Sequence, residues 1–209
     1  NTFTNGTLVG GSQIGGFFGC TLEGGADIQK SYFNGSLTAT YRGWVGGFIG
    51  LIDKANSEVT IENCVSIGDC QFSQDANGDP KKTGPFIAGN SAGDTPNAKV
   101  IFSSNNIKNT NAIMSHESDW PGKNPTTDDD TPVDYPQDMA AQALQTSAPY
   151  EGLGWDFDKV WTMDAASSYL YPTLKIFGSF PTSGVKDLQN DVKAPFVAAA
   201  ADNVLTVAG

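Results

Sequence analysis

Residue types able to perform acid–base, nucleophilic or metal chemistry are sparse and scattered along this 209-residue chain. The single histidine, His116, sits in Met114-Ser115-His116-Glu117-Ser118-Asp119. A serine or cysteine nucleophile needs a positioned base within hydrogen-bond reach, and no Gly-x-Ser-x-Gly elbow accompanies this one. His116 therefore reads as an ordinary surface residue. Cys20, Cys64 and Cys70 show no C-x-x-C spacing, and with one His they predict no zinc site. Cys64 and Cys70 either close a small disulfide loop in an oxidising compartment or lie buried as small hydrophobes, the second being the commoner fate. Asp128-Asp129-Asp130 lacks the alternating spacing of a calcium loop and reads as a solvated run. Asp27 and Glu62 lie in strand-like segments, but no companion carboxylate for glycoside hydrolysis is evident beside either. Gly46-Gly47 has no following Lys, so it is not a phosphate loop.

One cluster is better suited to binding. Tyr41-Arg42-Gly43-Trp44 places two aromatics around the only arginine, a combination able to grip a sugar or an acidic ligand. Trp44 and Trp120 lie near turns or loops and are the best candidates for exposed aromatics. Tyr41, Arg42, Trp44 and Trp120 are thus the candidate ligand-binding residues. No catalytic residue, metal ligand or cofactor is predicted.

The elements that must position these residues follow from composition. The chain has 24 Gly and 11 Pro, with 39% hydrophobic and 17% charged residues. Glycine exceeds its usual share of about 7% and charge falls below the usual quarter, which excludes long helices and coiled coils. A net charge of −11 argues against nucleic acid as a partner. No apolar run reaches the roughly 18 residues of a membrane helix. The chain opens with neither Met nor a signal peptide, so its ends read as processing boundaries.

Placed against itself, the sequence repeats. Ile14-Gly15-Gly16-Phe17-Phe18-Gly19 returns as Val45-Gly46-Gly47-Phe48-Ile49-Gly50, with Gly16 and Gly47 31 positions apart. Ala26-Asp27-Ile28 returns as Val59-Thr60-Ile61, and Phe3-Thr4-Asn5-Gly6-Thr7-Leu8 mirrors Phe33-Asn34-Gly35-Ser36-Leu37. A degraded third copy runs through Pro85-Phe86-Ile87-Ala88-Gly89-Asn90 and Lys99-Val100-Ile101-Phe102, with ambiguous register and an irregular shape expected. The segments between turns are about five to eight residues long, rich in Val, Ile, Phe and Thr, and alternate like strands. Asn5-Gly6 and Asn34-Gly35 read as turns, which also accounts for their match to glycosylation sequons. A period near 30 predicts an all-β fold, a parallel β-solenoid whose coils bury their apolar sides only by stacking. The alternative is a β-sandwich of antiparallel hairpins.

The Gly-Gly-Phe-x-Gly core, the run Val59-Thr60-Ile61-Glu62-Asn63-Cys64-Val65-Ser66-Ile67-Gly68 and the period together resemble the GLUG-motif repeat family of secreted bacterial surface proteins. Gly154-Trp155-Asp156-Phe157-Asp158-Lys159-Val160-Trp161, followed by Tyr171-Pro172-Thr173-Leu174, is similar to the segment that closes such arrays in Bacteroidetes. The resemblance covers roughly residues 1–177 and implies an extracellular or cell-surface repeat module. Such a module would be non-catalytic and would bind a host or microbial glycan or protein, or display further domains of the same polypeptide. A carbohydrate-active β-helix fragment is the alternative.

The expected organisation is repeat coils over 1–113, an acidic surface excursion with a short helix over 114–150, a capping segment over 151–178, and a linker with the start of another β module over 179–209. The helix is expected at Asp138 to Leu144. Trp155, Phe157, Val160 and Trp161 are expected to cover the end of the coils, because an uncovered strand edge invites aggregation. Phe17, Ile28, Phe48, Ile61, Val65, Phe86, Val160 and Leu174 form the expected core.

Overall fold

The computed structural model describes residues 1–21, 24–41, 43–52, 57–77, 82–90, 99–102, 105–115, 136–163, 169–177, 197–201 and 204–208. It is all-β, and most of its sheets are parallel. Residues Asn1–Trp155 form one compact body and Asp156–Gly209 a second.

In the first body each repeat contributes a strand to each of four sheets. The first repeat supplies β1 (Phe3–Gly10), β2 (Gln13–Gly15), β3 (Phe18–Thr21) and β4 (Gly25–Gln29). The second supplies β5 (Tyr32–Tyr41), β6 (Trp44–Gly46), β7 (Ile49–Ile52) and β8 (Glu58–Glu62). The third supplies β9 (Val65–Ser66), β10 (Asp69–Asn77), β11 (Lys82–Gly84), β12 (Ile87–Asn90) and β13 (Lys99–Phe102). Two more strands, β14 (Ile107–Asn109) and β15 (Gln137–Met139), extend only the first sheet. Equivalent strands pair in parallel and in register: Ile14 with Val45, Ile28 with Ile61, Phe3 with Tyr32. Antiparallel pairing, which a sandwich of hairpins requires, is absent from these sheets among the described residues.

The third copy is more regular than its sequence predicts. Gly84 pairs with Gly46 and Phe102 with Ile61, and the Phe86 ring packs tilted 4.8 Å from Phe48, which stacks 4.7 Å from Phe17. Each such aromatic pair adds about 0.5–1.5 kcal/mol beyond area burial. Pro85 occupies the position of Gly16 and Gly47. Those glycines donate their N–H to the following repeat, Gly16 to Gly46 O and Gly47 to Gly84 O. Pro85 stands on β11's side of that sheet, where β11 is the edge strand, so its missing donor breaks no ladder.

Asn5-Gly6 and Asn34-Gly35 are not turns. They lie inside β1 and β5 and pair with each other. Gly35 is required by the Gly6 carbonyl beside it and by the ring of Phe33, which is buried between four glycines. A Cβ on Gly16, Gly35, Gly47 or Gly68 would come within 2.6, 3.0, 2.9 or 2.7 Å of that ring. The corners before β5 and β9 are set differently. Lys30 and Asn63 turn them in the left-handed region, with φ of 47° and 54°.

The residue after that corner, or its equivalent, ties successive repeats together. Ser31 Oγ accepts from Thr2 N at 3.1 Å, and the Cys64 thiol donates to the carbonyls of Ile28 and Glu62. Asn106 is wholly buried, accepts from Cys64 N and donates to Ile61 O, both at 2.8 Å.

Asp138 and Met139 belong to β15, paired with Lys108 and Asn109, rather than to a helix. Ladder hydrogen bonds outweigh the weak local preference there. The helical residues come later, a 3₁₀ turn at Ala143–Gln145 and α1 at Ala148–Gly152 with Pro at its start. This segment delivers Trp155 to the flank of the repeats, not to their end. Its ring stacks 6.2 Å from Tyr32, itself 5.1 Å from Phe3, and its indole N–H donates to Asn63 O at 2.8 Å.

Of the expected core, Ile28, Phe48, Ile61, Val65 and Phe86 are buried, whereas Phe17, Val160 and Leu174 are half-buried. In the second body Trp161–Thr162 (β16) pairs antiparallel with Thr173–Leu174 (β17), and Val197–Ala201 (β18) with Val204–Ala208 (β19). Val160 and Trp161 both donate to Asp156 O, and Lys175 Nζ donates to Asp158 O at 2.7 Å. No described helix is long and apolar enough to cross a membrane.

Candidate ligand-binding site

The corner between β5 and β6 carries the aromatic pair singled out in the sequence. Gly43 makes this corner with φ of 151°, and a Cβ there would lie 2.4 Å from Ser12 O. Only glycine combines that backbone angle with that approach. The corner is fastened to both neighbouring repeats, since Tyr41 N donates to Gly11 O at 3.0 Å and Lys82 N to Gly43 O at 3.3 Å. Tyr41 thereby stands at the end of β5 with 44% of its surface exposed.

Trp44 opens β6 and is half-buried. Its indole lies against the backbone of Gly89, where a Cβ would come within 2.2 Å of the ring. The parallel register sets Gln13 on one side of Trp44 and Lys82 on the other, and both are exposed. At the usual strand spacing of about 4.8 Å, amide, indole and ammonium form a short outward row beside Tyr41. An aromatic face flanked by a hydrogen-bonding amide and a cation suits a sugar ring or an acidic sugar. Gln13 and Lys82 were not singled out in the sequence. Gln13 could have been, being 31 positions before Trp44, as Gly16 is before Gly47; Lys82 follows Trp44 by 38 and escapes that period. Arg42 and Trp120 lie outside the described residues, as do His116 and Asp128-Asp129-Asp130.

The strand carboxylates stand diagonally on adjacent strands, two residues apart in register. Asp27 pairs with Thr60 and accepts from Gln29 Nε2 at 3.0 Å, while Glu62 pairs with Gln29. Among the described residues no three His, Cys, Asp or Glu side chains converge.

The three cysteines are free thiols. Burial pushes the Cys64 thiol up to about 12, and burial followed by the nearby Asp69 charge raises Cys70 as well. Only half-buried Cys20 should therefore react quickly with a disulfide reagent at pH 8, with all three reacting after unfolding. Rapid titration of two or more thiols in the folded protein would contradict the described burial. The raised thiols also give stability a pH dependence. Their contribution is complete below the unfolded thiol value near 8.5 and is lost as pH climbs through about 12.

Compared with protein-family models, curated proteins and solved structures, the chain has no match.

Proposed function

We propose that the four parallel sheets are the walls of a β-solenoid of GLUG-like repeats, and that the chain is a non-catalytic module of a bacterial surface protein. In this reading the stacked repeats hold binding residues on a rigid flank, or display further domains of the same polypeptide, outside the cell. The observation that carries the binding role is the Gln13–Trp44–Lys82 row beside exposed Tyr41. A glycan- or protein-binding flank needs aromatics held on a frame that does not yield, and the Gly43 corner is tied by backbone bonds to both adjacent repeats.

The test is a glycan and mucin array probed with the intact chain, with calcium and again with chelator. Specific binding is expected, weakened at least tenfold by Trp44→Ala and less by Tyr41→Ala; Trp120→Ala examines the other candidate tryptophan. A wild-type signal insensitive to Trp44→Ala would remove this corner as the site. A clean negative across the array would leave display as the role.

A further inference from the structure

Two of the four sheets differ sharply in the charge of their outward faces. On the β4–β8–β13 sheet the carboxylates Asp27, Glu58 and Glu62 alternate with buried apolar residues along β4 and β8. The β2–β6–β11 sheet reads Gln13-Ile14-Gly15, Trp44-Val45-Gly46 and Lys82-Thr83-Gly84, with no carboxylate and one cation. In a chain of net charge −11, Lys82 is thus the only charge on an otherwise neutral strip. The outward side chains of that strip are also unsatisfied by protein. The Gln13 amide, the Trp44 indole N–H and the Lys82 ammonium make no hydrogen bond or ion pair among the described residues.

In-register pairing sets these groups in a line across the strands, one per repeat, at the usual spacing of about 4.8 Å. The indole lies against the backbone of Gly89 in the third repeat, so it leans towards the repeat that carries Lys82. An extended pyranose chain advances by nearly one strand spacing with each sugar. Laid along the stack, such a chain meets an amide that bonds hydroxyls, then a flat ring that takes a sugar face, then an ammonium. A peptide fits this line less well. Its residues advance about 3.3 Å, and across the middle of a sheet its backbone finds no free strand edge to pair with.

Building on the glycan-binding reading, on which this step depends, we infer that the ligand is a linear, uronate-bearing glycan. It runs along the stack over three repeats, with one carboxylate on Lys82, the next sugar on Trp44 and the one beyond it held by the Gln13 amide. What admits an anionic chain is the lack of carboxylates on this strip as much as the one cation. Exposed acids farther away than about 8 Å are largely screened at physiological salt.

The probe is a β-1,4-linked trisaccharide of mannuronic acid, titrated into the intact chain by calorimetry with chelator present, beside its methyl ester. Saturable binding of the acid is expected with Kd on the order of 0.1–1 mM, roughly tenfold or more tighter than the monosaccharide. The ester keeps the shape and loses the charge, and should bind about three- to fivefold more weakly, the size of one exposed ion pair. Lys82→Gln should weaken the acid by that same factor and leave the ester unchanged, with Tm unaltered because the side chain is exposed. Equal binding of acid and ester, with both lost in Trp44→Ala, overturns the acidic ligand while the glycan-binding site stands. Equal binding of monosaccharide and trisaccharide overturns the path along the stack. A triglutamate peptide binding as tightly as the trisaccharide also overturns the inference, because charge alone would then suffice. No saturable binding of the acid overturns it outright, and neutral glycans on the array then decide separately whether Trp44 belongs to a site.

Discussion

Ile61→Asp is expected to abolish the folded state of the repeat body, with loss of the β-type circular dichroism signal and no cooperative thermal transition near that of the wild type. Ile61 is completely buried and sits in the middle strand of its sheet, between Ile28 and Phe102. Removing the isoleucine side chain costs about 2–5 kcal/mol. A carboxylate in its place finds no cation, and an unpaired buried charge adds several kcal/mol more or forces protonation. The sum rivals the whole stability of a typical domain, about 5–15 kcal/mol. The matching control is Ile101→Asp, on the same sheet but 37% exposed and paired with outward Thr60. That change should cost under about 1 kcal/mol. If both variants melt close to the wild type, the register that turns Ile61 inward is wrong.

The inward turn of Ile61 was legible because Val59 and Ile61 alternate with Thr60 and Glu62, and because Ile28 recurs one period earlier. The third repeat was not legible to the same degree, for a metrical reason. From Ile14 to Val45 the step is 31 residues, whereas from Val45 to Thr83 it is 38. A shift of register within β10, between Phe72 and Asn77, lengthens the period before Thr83 comes back opposite Val45, so a fixed spacing fails where the ladder continues. The interlocking corner was invisible for a different reason. Ser31, Cys64 and Asn106 do equivalent jobs, but a hydroxyl, a thiol and an amide share no pattern a sequence reader would align. Asn34-Gly35 failed because a local turn preference and a lateral demand for space use the same letters. Its glycine is set by the Phe33 ring and by Gly6 in the strand beside it, not by a chain reversal. The proposed binding corner was half legible: Tyr41 and Trp44 are conspicuous as types, while Gln13 and Lys82 join them only through register.

The same distinction between glycine as a turn and glycine as a spacer gives the second large effect. Gly46→Ala should destabilise the repeat body by about 3 kcal/mol or more, because the added methyl has nowhere to go. A Cβ on Gly46 would lie 1.9 Å from Ile49 O and 2.9 Å from Phe86 O. Both obstacles are backbone, one within its own repeat and one in the next. Relief therefore requires β6 to part from β7 and from the third repeat together, breaking the bonds that Phe86 O accepts from Phe48 N and Ile49 N. Gly11→Ala is the informative contrast, since nothing lies within 4 Å of the position its Cβ would take. That change should leave stability within about 0.5 kcal/mol or raise it slightly by narrowing the unfolded ensemble. Urea denaturation of the pair measures the difference. If Gly46→Ala were as stable as Gly11→Ala, the Gly-Gly-Phe corner could not be a backbone-to-backbone contact, and the repeat's glycines would need another cause. A large gap instead ties the most recognisable letters of the repeat to the packing of one copy on the next.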